Sequence, residues 1–125
     1  MSVMFERQNR FLVDFCMLVM EAQRLGFKVS GGELWRPEEM QALYLKQGKT
    51  QVAHSKHQDK LAGDLNFMFG DVFVNGLPAL EAIAILAPLG HFWENLRLGN
   101  RWGGNFDRDW SKPDNFKDVP HFEAG

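Results

Sequence analysis

The segment Leu61–Phe69 sets the strongest constraint on the fold, because its residues alternate with a period of two, as in a β-strand. Asp64 and Asn66 fall on one face of this strand, and the other face carries Leu61, Gly63, Leu65 and Phe67. Gly70-Asp71 follows as a turn signal. We therefore expect Val72–Val74 to pair back on the strand as a hairpin.

Two longer segments with helical spacing of apolar residues flank this strand. The first is Phe5–Leu25, which Gly26 follows at the position of a C-terminal cap. Asp14 is expected to lie off its apolar stripe, which is predicted to contain Leu12, Phe15, Cys16, Val19 and Ala22. The second is Pro78–Leu98, in which Pro88 should kink the helix or split it in two.

The remaining segments predict shorter elements. Short strands are expected at Lys28–Ser30 and Glu33–Trp35. A third helix should open at Arg36-Pro37-Glu38-Glu39 and run to about Lys46. The tail Gly99–Gly125 is predicted to be irregular, but its aromatic residues indicate that it is ordered over a core or a cleft. The pattern is typical of an α+β fold, in which helices flank a small, mostly antiparallel sheet.

Length, charge and cysteine count exclude several classes of protein. A chain of 125 residues is expected to form a single domain. Its net charge of −2, from 14 basic and 16 acidic residues, does not resemble the basic surface of nucleic-acid-binding proteins. The single cysteine, Cys16, excludes a disulfide framework and a cysteine-based zinc site. Since Cys16 lies in an apolar stretch, a buried and inert thiol is predicted.

The sequence shows neither a secretion signal nor a membrane span. The N-terminus reads MSVMFERQNR, with charges where the apolar part of a signal peptide would begin. The longest apolar segment, Leu77–Phe92, is interrupted by Glu81, Pro88 and His91. We therefore expect synthesis in a cytoplasm and no insertion into a membrane.

Any metal site or acid–base chemistry in this chain must use its four histidines and its carboxylates. His57, Asp64 and His121 would give two imidazoles and one carboxylate, which is a ligand set suited to zinc. Asp118 lies three residues before His121 and would then be available as a general base. Spacing leaves other interpretations open: His57 in a solvated loop, Asp64 as a cap, Asp118 in an Asx-turn.

The other two histidines have their own interpretations. His54 and His57 form a His-x-x-His pair that could supply an alternative set of ligands. His57 is preferred because it leads directly into the strand that carries Asp64. His91 lies in an apolar helical stretch and is interpreted as a structural residue.

Two motifs resemble the zinc D-alanyl-D-alanine carboxypeptidase and L-alanyl-D-glutamate endopeptidase family. The segment Ser55–Asp64 is similar to the family's Ser-x-His-x-x-Gly-x-Ala-x-Asp signature. Trp102-Gly103-Gly104 followed by Asp118-x-x-His121-Phe122-Glu123 is similar to its second signature. Upstream, Arg36-x-x-x-x-Gln41 and Gly48-Lys49-Thr50 also match. The matches appear in the family's order and extend from about Trp35 to Glu123.

The resemblance implies a role for each matched residue. His57, Asp64 and His121 would be the zinc ligands, and Asp118 would be the catalytic base. Arg36 would stabilise the oxyanion that forms on the substrate carbonyl.

The resemblance also implies which residues contact the substrate. Ser55 and Gln41 would line the cleft and contact the peptide, and Trp102 with its two following glycines would shape the wall beside the metal. Glu123 could orient a ligand or the substrate amine, or remain solvated. Trp93, Trp102 and Trp110 are interpreted first as packing residues.

One position departs from the family pattern. Lys60 stands where the family has Gly. If the backbone there has a positive φ, a lysine costs about 1 kcal/mol.

The resemblance implies a zinc-dependent peptidase of the peptidoglycan stem peptide, similar to phage endolysins that cleave the L-Ala–D-Glu bond. Such an enzyme would wait in the host cytoplasm and reach the wall after membrane permeabilisation. It is expected to be a monomer that binds no nucleic acid. The alternatives are a D-Ala-D-Ala carboxypeptidase or dipeptidase on the same scaffold, and a non-catalytic binding module on a degenerate peptidase fold.

Overall fold

The chain contains both helices and strands, and its computed structural model describes residues 2–50, 54–105 and 118–125. The helices among these residues are three α-helices, α1 (Val3–Arg24), α2 (Glu38–Lys46) and α3 (Ala79–Leu96), and a short 3-10 helix at Val74–Gly76. Five strands accompany them: β1 (Lys28–Gly31), β2 (Ala62–Phe69), β3 (Val72–Phe73), β4 (Arg101–Trp102) and β5 (His121–Glu123).

The strands form one antiparallel sheet centred on β2. The strand order is β1-β2-β5-β4, and β3 pairs with β2 as the predicted hairpin. Along β2, the register pairs Gly31 with Leu65 on one side and Asp64 with His121 on the other. The predicted α+β class, with helices around a small antiparallel sheet, is confirmed.

Helix α1 buries a different stripe from the predicted one. Its buried residues are Phe11, Asp14, Phe15, Leu18 and Ala22. Leu12 is 50% exposed and Cys16 is exposed, so the predictions of an apolar stripe through both and of a buried thiol were wrong. The reason is Asp14, which is buried because its carboxylate pairs with Arg97, with Nε 2.9 Å from Oδ2. Because the buried face of α1 includes a charged residue, the apolar residues alone suggest a stripe that lies one position away from the stripe that is buried.

Two further expectations need correction, and for Pro88 one of the two predicted outcomes, a split helix, is excluded. Glu33–Trp35 is not a strand, although Gly32 N–H donates to the Asp64 carbonyl and Asp64 N–H donates to the Glu33 carbonyl. Pro88 lies inside α3, which is not split. The tail contains β4 and β5 and is therefore not wholly irregular. Three of its aromatic residues lie outside the described residues: Phe106, Trp110 and Phe116.

Aromatic side chains fill the space between the helices and the sheet. Trp93 of α3 and Trp102 of β4 are fully buried, and both pack against Phe122 of β5. The Trp93 indole N–H donates to the carbonyls of Arg101 and Glu123, at 3.0 Å each. Trp93 therefore fixes both short strands to α3, in agreement with its interpretation as a packing residue. None of the described helices is long and apolar enough to cross a membrane.

Candidate metal centre

Three side chains from neighbouring parts of the sheet converge on one point. His57 lies in the turn that leads into β2, Asp64 lies on β2, and His121 opens β5 directly opposite Asp64. His57 and His121 are buried, and Asp64 is partly exposed. The structure thus brings together the three residues that the sequence motifs single out as ligands.

The three inward-facing atoms form a nearly equilateral triangle. His57 Nε2 lies 3.1 Å from His121 Nδ1, and Asp64 Oδ1 lies 3.3 Å from the first and 3.4 Å from the second. Tetrahedral zinc with bonds of about 2.0–2.1 Å requires ligand atoms about 3.3–3.4 Å apart. The arrangement therefore fits a metal ion of this size and geometry.

The charge state of the cluster also favours a cation. Asp64 Oδ1 is buried and has no hydrogen-bond partner among the described residues. Burial alone would raise the pKa of Asp64, but the two imidazoles beside it outweigh burial and hold that pKa well below its usual range. Asp64 is therefore an ionised acceptor, and a metal would satisfy it.

Glu123 holds His121 from the side opposite the triangle. His121 Nε2 lies 2.8 Å from Glu123 Oε1, and Glu123 Oε2 accepts from Arg101 Nη2 at 2.7 Å and Nε at 3.1 Å. Burial opposes ionisation of Glu123, but hydrogen bonds from His121 and Arg101 lower its pKa below the usual value. An ionised carboxylate only accepts hydrogen bonds. The neutral imidazole therefore carries its proton on Nε2 and presents Nδ1 to a metal.

The same contacts make the cluster attractive to positive charge before any metal binds. Burial alone would lower the pKa of the His121 imidazole, but the close carboxylate of Asp64 and the hydrogen bond to Glu123 raise it to about 9. A proton on His121 then supplies the positive charge that the carboxylates favour. A divalent cation would take over that role.

The other histidines do not join this group. His54 is exposed, and its Nε2 lies 3.0 Å from both carboxylate oxygens of Asp59. His91 is exposed on α3. The alternative His54–His57 pair is therefore not assembled in the structure.

Asp118 is held beside the cluster by a backbone turn. Its N–H donates to the Gly103 carbonyl at 2.8 Å, and its own carbonyl accepts from His121 N–H at 3.0 Å. Burial raises the pKa of the Asp118 carboxyl, and the charge of Asp64 acts in the same direction against the opposing effects of His121, His57 and Arg36. A partly buried carboxyl with a raised pKa is suited to general-base chemistry.

Arg36 is fixed at the same site by three neighbours. Its Nε donates to Glu33 Oε1 at 2.6 Å, with Nη2 against the same oxygen, and Nη1 donates to Gln41 Oε1 at 2.6 Å. The guanidinium also lies 4.8 Å from the centre of the Tyr44 ring. These contacts use three of its five N–H groups, so two others can address a ligand.

Two residues that hold these groups were missed by sequence reasoning. Glu33 lies three residues before Arg36, a spacing that could have indicated an ion pair. Arg101 lies 22 residues from Glu123, and no local pattern relates them. Only the pairing of β4 with β5 brings that pair together.

The three predicted substrate-contact residues are buried in the structure. Gln41 and Trp102 are fully buried. Gln41 Oε1 accepts from Arg36, and the Trp102 indole N–H donates to the Val119 carbonyl at 2.8 Å. Ser55 is 7% exposed, and its hydroxyl accepts from His57 N–H at 3.1 Å. Contacts of these three residues with a substrate stay predictions.

The fold has a known counterpart. It is similar to the crystal structure of Serratia marcescens L-Ala D-Glu endopeptidase ChiX, with a TM-score of 0.63 and 22% sequence identity. The match covers 90% of this chain and 78% of that chain. Neither the models of known protein families nor the sequences of curated proteins match this chain. The likeness shows that the two chains share a fold.

Proposed function

We propose that this chain is a zinc-dependent peptidase that cleaves the L-Ala–D-Glu bond of the peptidoglycan stem peptide. The observation that carries the proposal is the triangle of donor atoms from His57, Asp64 and His121, with edges of 3.1–3.4 Å. The shared fold with an L-Ala D-Glu endopeptidase supports the choice of substrate. The sequence motifs support the same family.

Zinc is the metal that suits these donors best. Two imidazole nitrogens and one carboxylate oxygen form a catalytic type of zinc site, in which three protein ligands leave one position open. Zinc, when bound, polarises a carbonyl oxygen and makes water acidic enough to attack at neutral pH. The protein must supply the proton transfers and the remaining charge stabilisation.

Asp118 and Arg36 can supply these functions. Asp118 would accept the proton of the attacking water and deliver it to the leaving amine, since its raised pKa makes it a stronger base than an ordinary aspartate. Arg36 would stabilise the negative charge that develops on the carbonyl oxygen. Its contacts with Glu33 and Gln41 hold the guanidinium in place before substrate arrives.

A digest of purified peptidoglycan tests the bond specificity. The wild-type protein should free L-Ala carboxyl groups and D-Glu amino groups, identified by mass spectrometry, and a chelator should abolish both. Released D-Ala would instead support the carboxypeptidase alternative. Absence of both hydrolysis and bound zinc would favour the non-catalytic binding module.

A variant of Asp118 separates its role from metal binding. Asp118→Asn should keep stoichiometric zinc and lose about 10²–10⁴-fold in activity, which is the range of general-base catalysis. Asp71→Asn, in an exposed turn, is the matched control and should retain activity. Full activity in Asp118→Asn would remove that residue from the mechanism.

The sequence resemblance extends the proposal to a phage endolysin that acts on the wall after the membrane is permeabilised. This part of the proposal rests on the motifs.

A further inference from the structure

Lys60 has a backbone conformation that lysine rarely adopts. Its φ is 59°, and Lys60 is the only non-glycine residue with a positive φ in residues 2–50, 54–105 and 118–125. In the left-handed region a Cβ crowds the following carbonyl, so glycine would be relaxed there and lysine is strained. Strain of this kind concentrates at functional sites.

The strained residue is hydrogen-bonded to the backbone of one of the three candidate metal ligands. The carbonyl of the candidate ligand His57 accepts two backbone hydrogen bonds, from Lys60 N–H at 3.3 Å and from Arg36 N–H at 3.2 Å. One carbonyl therefore ties the Lys60 turn to the segment Trp35–Arg36. The side chains of Lys60 and Trp35, which belong to these two segments, contact each other.

Both side chains are exposed to solvent. Trp35 is 55% exposed, and the Lys60 ammonium lies 5.9 Å from the centre of its indole ring. Among the described residues, Lys60 has no carboxylate partner. By contrast, the guanidinium of Arg36 is engaged by Glu33, and that of Arg101 by Glu123. Within the described part of the chain, Lys60 thus offers a positive charge without a counter-ion next to an exposed aromatic face.

We propose that Lys60 and Trp35 form a subsite for the free carboxylate of the D-glutamyl residue that follows the scissile bond. The inference rests on the proposed function, because an L-Ala–D-Glu bond fixes the chemistry beside the cleaved amide. Glutamate has two carboxyl groups, and only one of them continues the peptide. The other carries a negative charge next to the leaving amine, and its aliphatic part can pack on the indole.

Paired substrates test the charge directly. One stem peptide carries the D-glutamyl group as a free carboxylate, and its partner carries the same group as a neutral amide. Wild-type protein should have the higher kcat/KM for the acid. This preference should shrink with added salt, because the pair is solvent-exposed.

Variants of Lys60 separate charge from backbone strain. Lys60→Asn tolerates the left-handed conformation and removes the charge, and should lower kcat/KM about fivefold for the acid but less than twofold for the amide. Lys60→Arg should keep most of the preference. Lys60→Gly should lose the preference without a lower melting temperature, since glycine relieves the strain. Lys46→Asn, an exposed lysine of α2, is the control for overall charge.

The outcome distinguishes this subsite from the proposed function as a whole. Equal effects of Lys60→Asn on both substrates, with intact wild-type hydrolysis, would overturn the subsite and leave the peptidase activity standing. Calorimetric binding of the D-glutamyl product peptide gives a readout that does not depend on hydrolysis. Tighter wild-type binding of its acid form than of its amide form supports the subsite, and equal affinities contradict it.

Discussion

At the scale of single residues, Glu123 connects the group of candidate metal ligands to the rest of the sheet. One carboxylate oxygen holds His121 Nε2 at 2.8 Å, and the other accepts from Arg101. Glu123 is 5% exposed, so water competes little for these hydrogen bonds. Of the interpretations that the sequence leaves open, orientation of a ligand fits this geometry, because the contact fixes both the His121 ring and its tautomer.

We expect Glu123 substitutions to weaken zinc binding. Glu123→Gln keeps an acceptor but loses the charge, and should raise the zinc Kd about 10-fold. Glu123→Ala removes the acceptor and should raise it up to about 100-fold. Competition with a coloured chelator measures both values without reference to activity.

A matched control identifies a general charge effect. Glu39→Gln removes an exposed carboxylate from the first turn of α2 and should leave the zinc Kd unchanged. Equal zinc affinity in wild type, Glu123→Gln and Glu123→Ala would show that Glu123 does not position His121.

The sequence could identify the candidate ligands but not the residues that hold the site's side chains in position. His57, Asp64 and His121 stand at motif positions, and two of them meet because β2 and β5 pair. Arg101 supports Glu123 across two strands, and no spacing rule reveals such a contact. The burial of Gln41 also depends on how the whole molecule packs, and its contact with Arg36 follows from that packing.

At the scale of elements, a turn after β4 sets the position of the candidate base. Gly103 N–H donates to the His121 carbonyl at 2.7 Å, and the Gly103 carbonyl accepts from Asp118 N–H at 2.8 Å. A Cβ on Gly103 would collide with the Asp118 carbonyl oxygen. The close approach that glycine permits therefore places Asp118 next to a ligand strand.

We expect Gly103→Ala to disrupt this turn. The added methyl meets backbone, which cannot rotate away, so the variant should lose about 3 kcal/mol of unfolding free energy or more. Denaturant unfolding measures the loss. Gly31→Ala in β1 is the control, since a Cβ there meets nothing within 4 Å. A Gly103→Ala protein as stable as Gly31→Ala would contradict the role assigned to this turn.

Element prediction from sequence failed where tertiary contacts override local pattern. The buried face of α1 includes Asp14, whose burial is made favourable by two distant partners, Arg97 and Asn100. Strands β4 and β5 have two and three residues, too few for an alternating pattern to emerge. The longer elements have strong periodicity. The hairpin predicted from the turn signal is confirmed by the pairing of β2 with β3.

At the scale of the whole molecule, the group of candidate metal ligands joins segments that are distant in sequence. His57 and His121 are 64 residues apart, and their contact links the turn before β2 to the last strand. Without a cation, two imidazoles and an ionised carboxylate must share this space. A bound metal would replace those interactions with three strong bonds that exist only in the folded state.

We therefore expect zinc to stabilise the folded protein. Zinc at 100 times its Kd should add about 2.7 kcal/mol of unfolding free energy. For a chain of this size, that gain raises Tm by roughly 10 °C. A chelator should reverse the shift, as measured by differential scanning calorimetry.

Two histidine variants decide where the stabilising ion binds. His57→Ala should abolish the zinc-induced shift in Tm, because it removes one corner of the donor triangle. His54→Ala should retain the shift, because His54 is exposed and contacts Asp59 instead. The reverse result would place the ion at the His54–Asp59 pair. An unchanged wild-type Tm with zinc would mean that the triangle does not bind the metal tightly, and catalysis by zinc would then lose its structural basis.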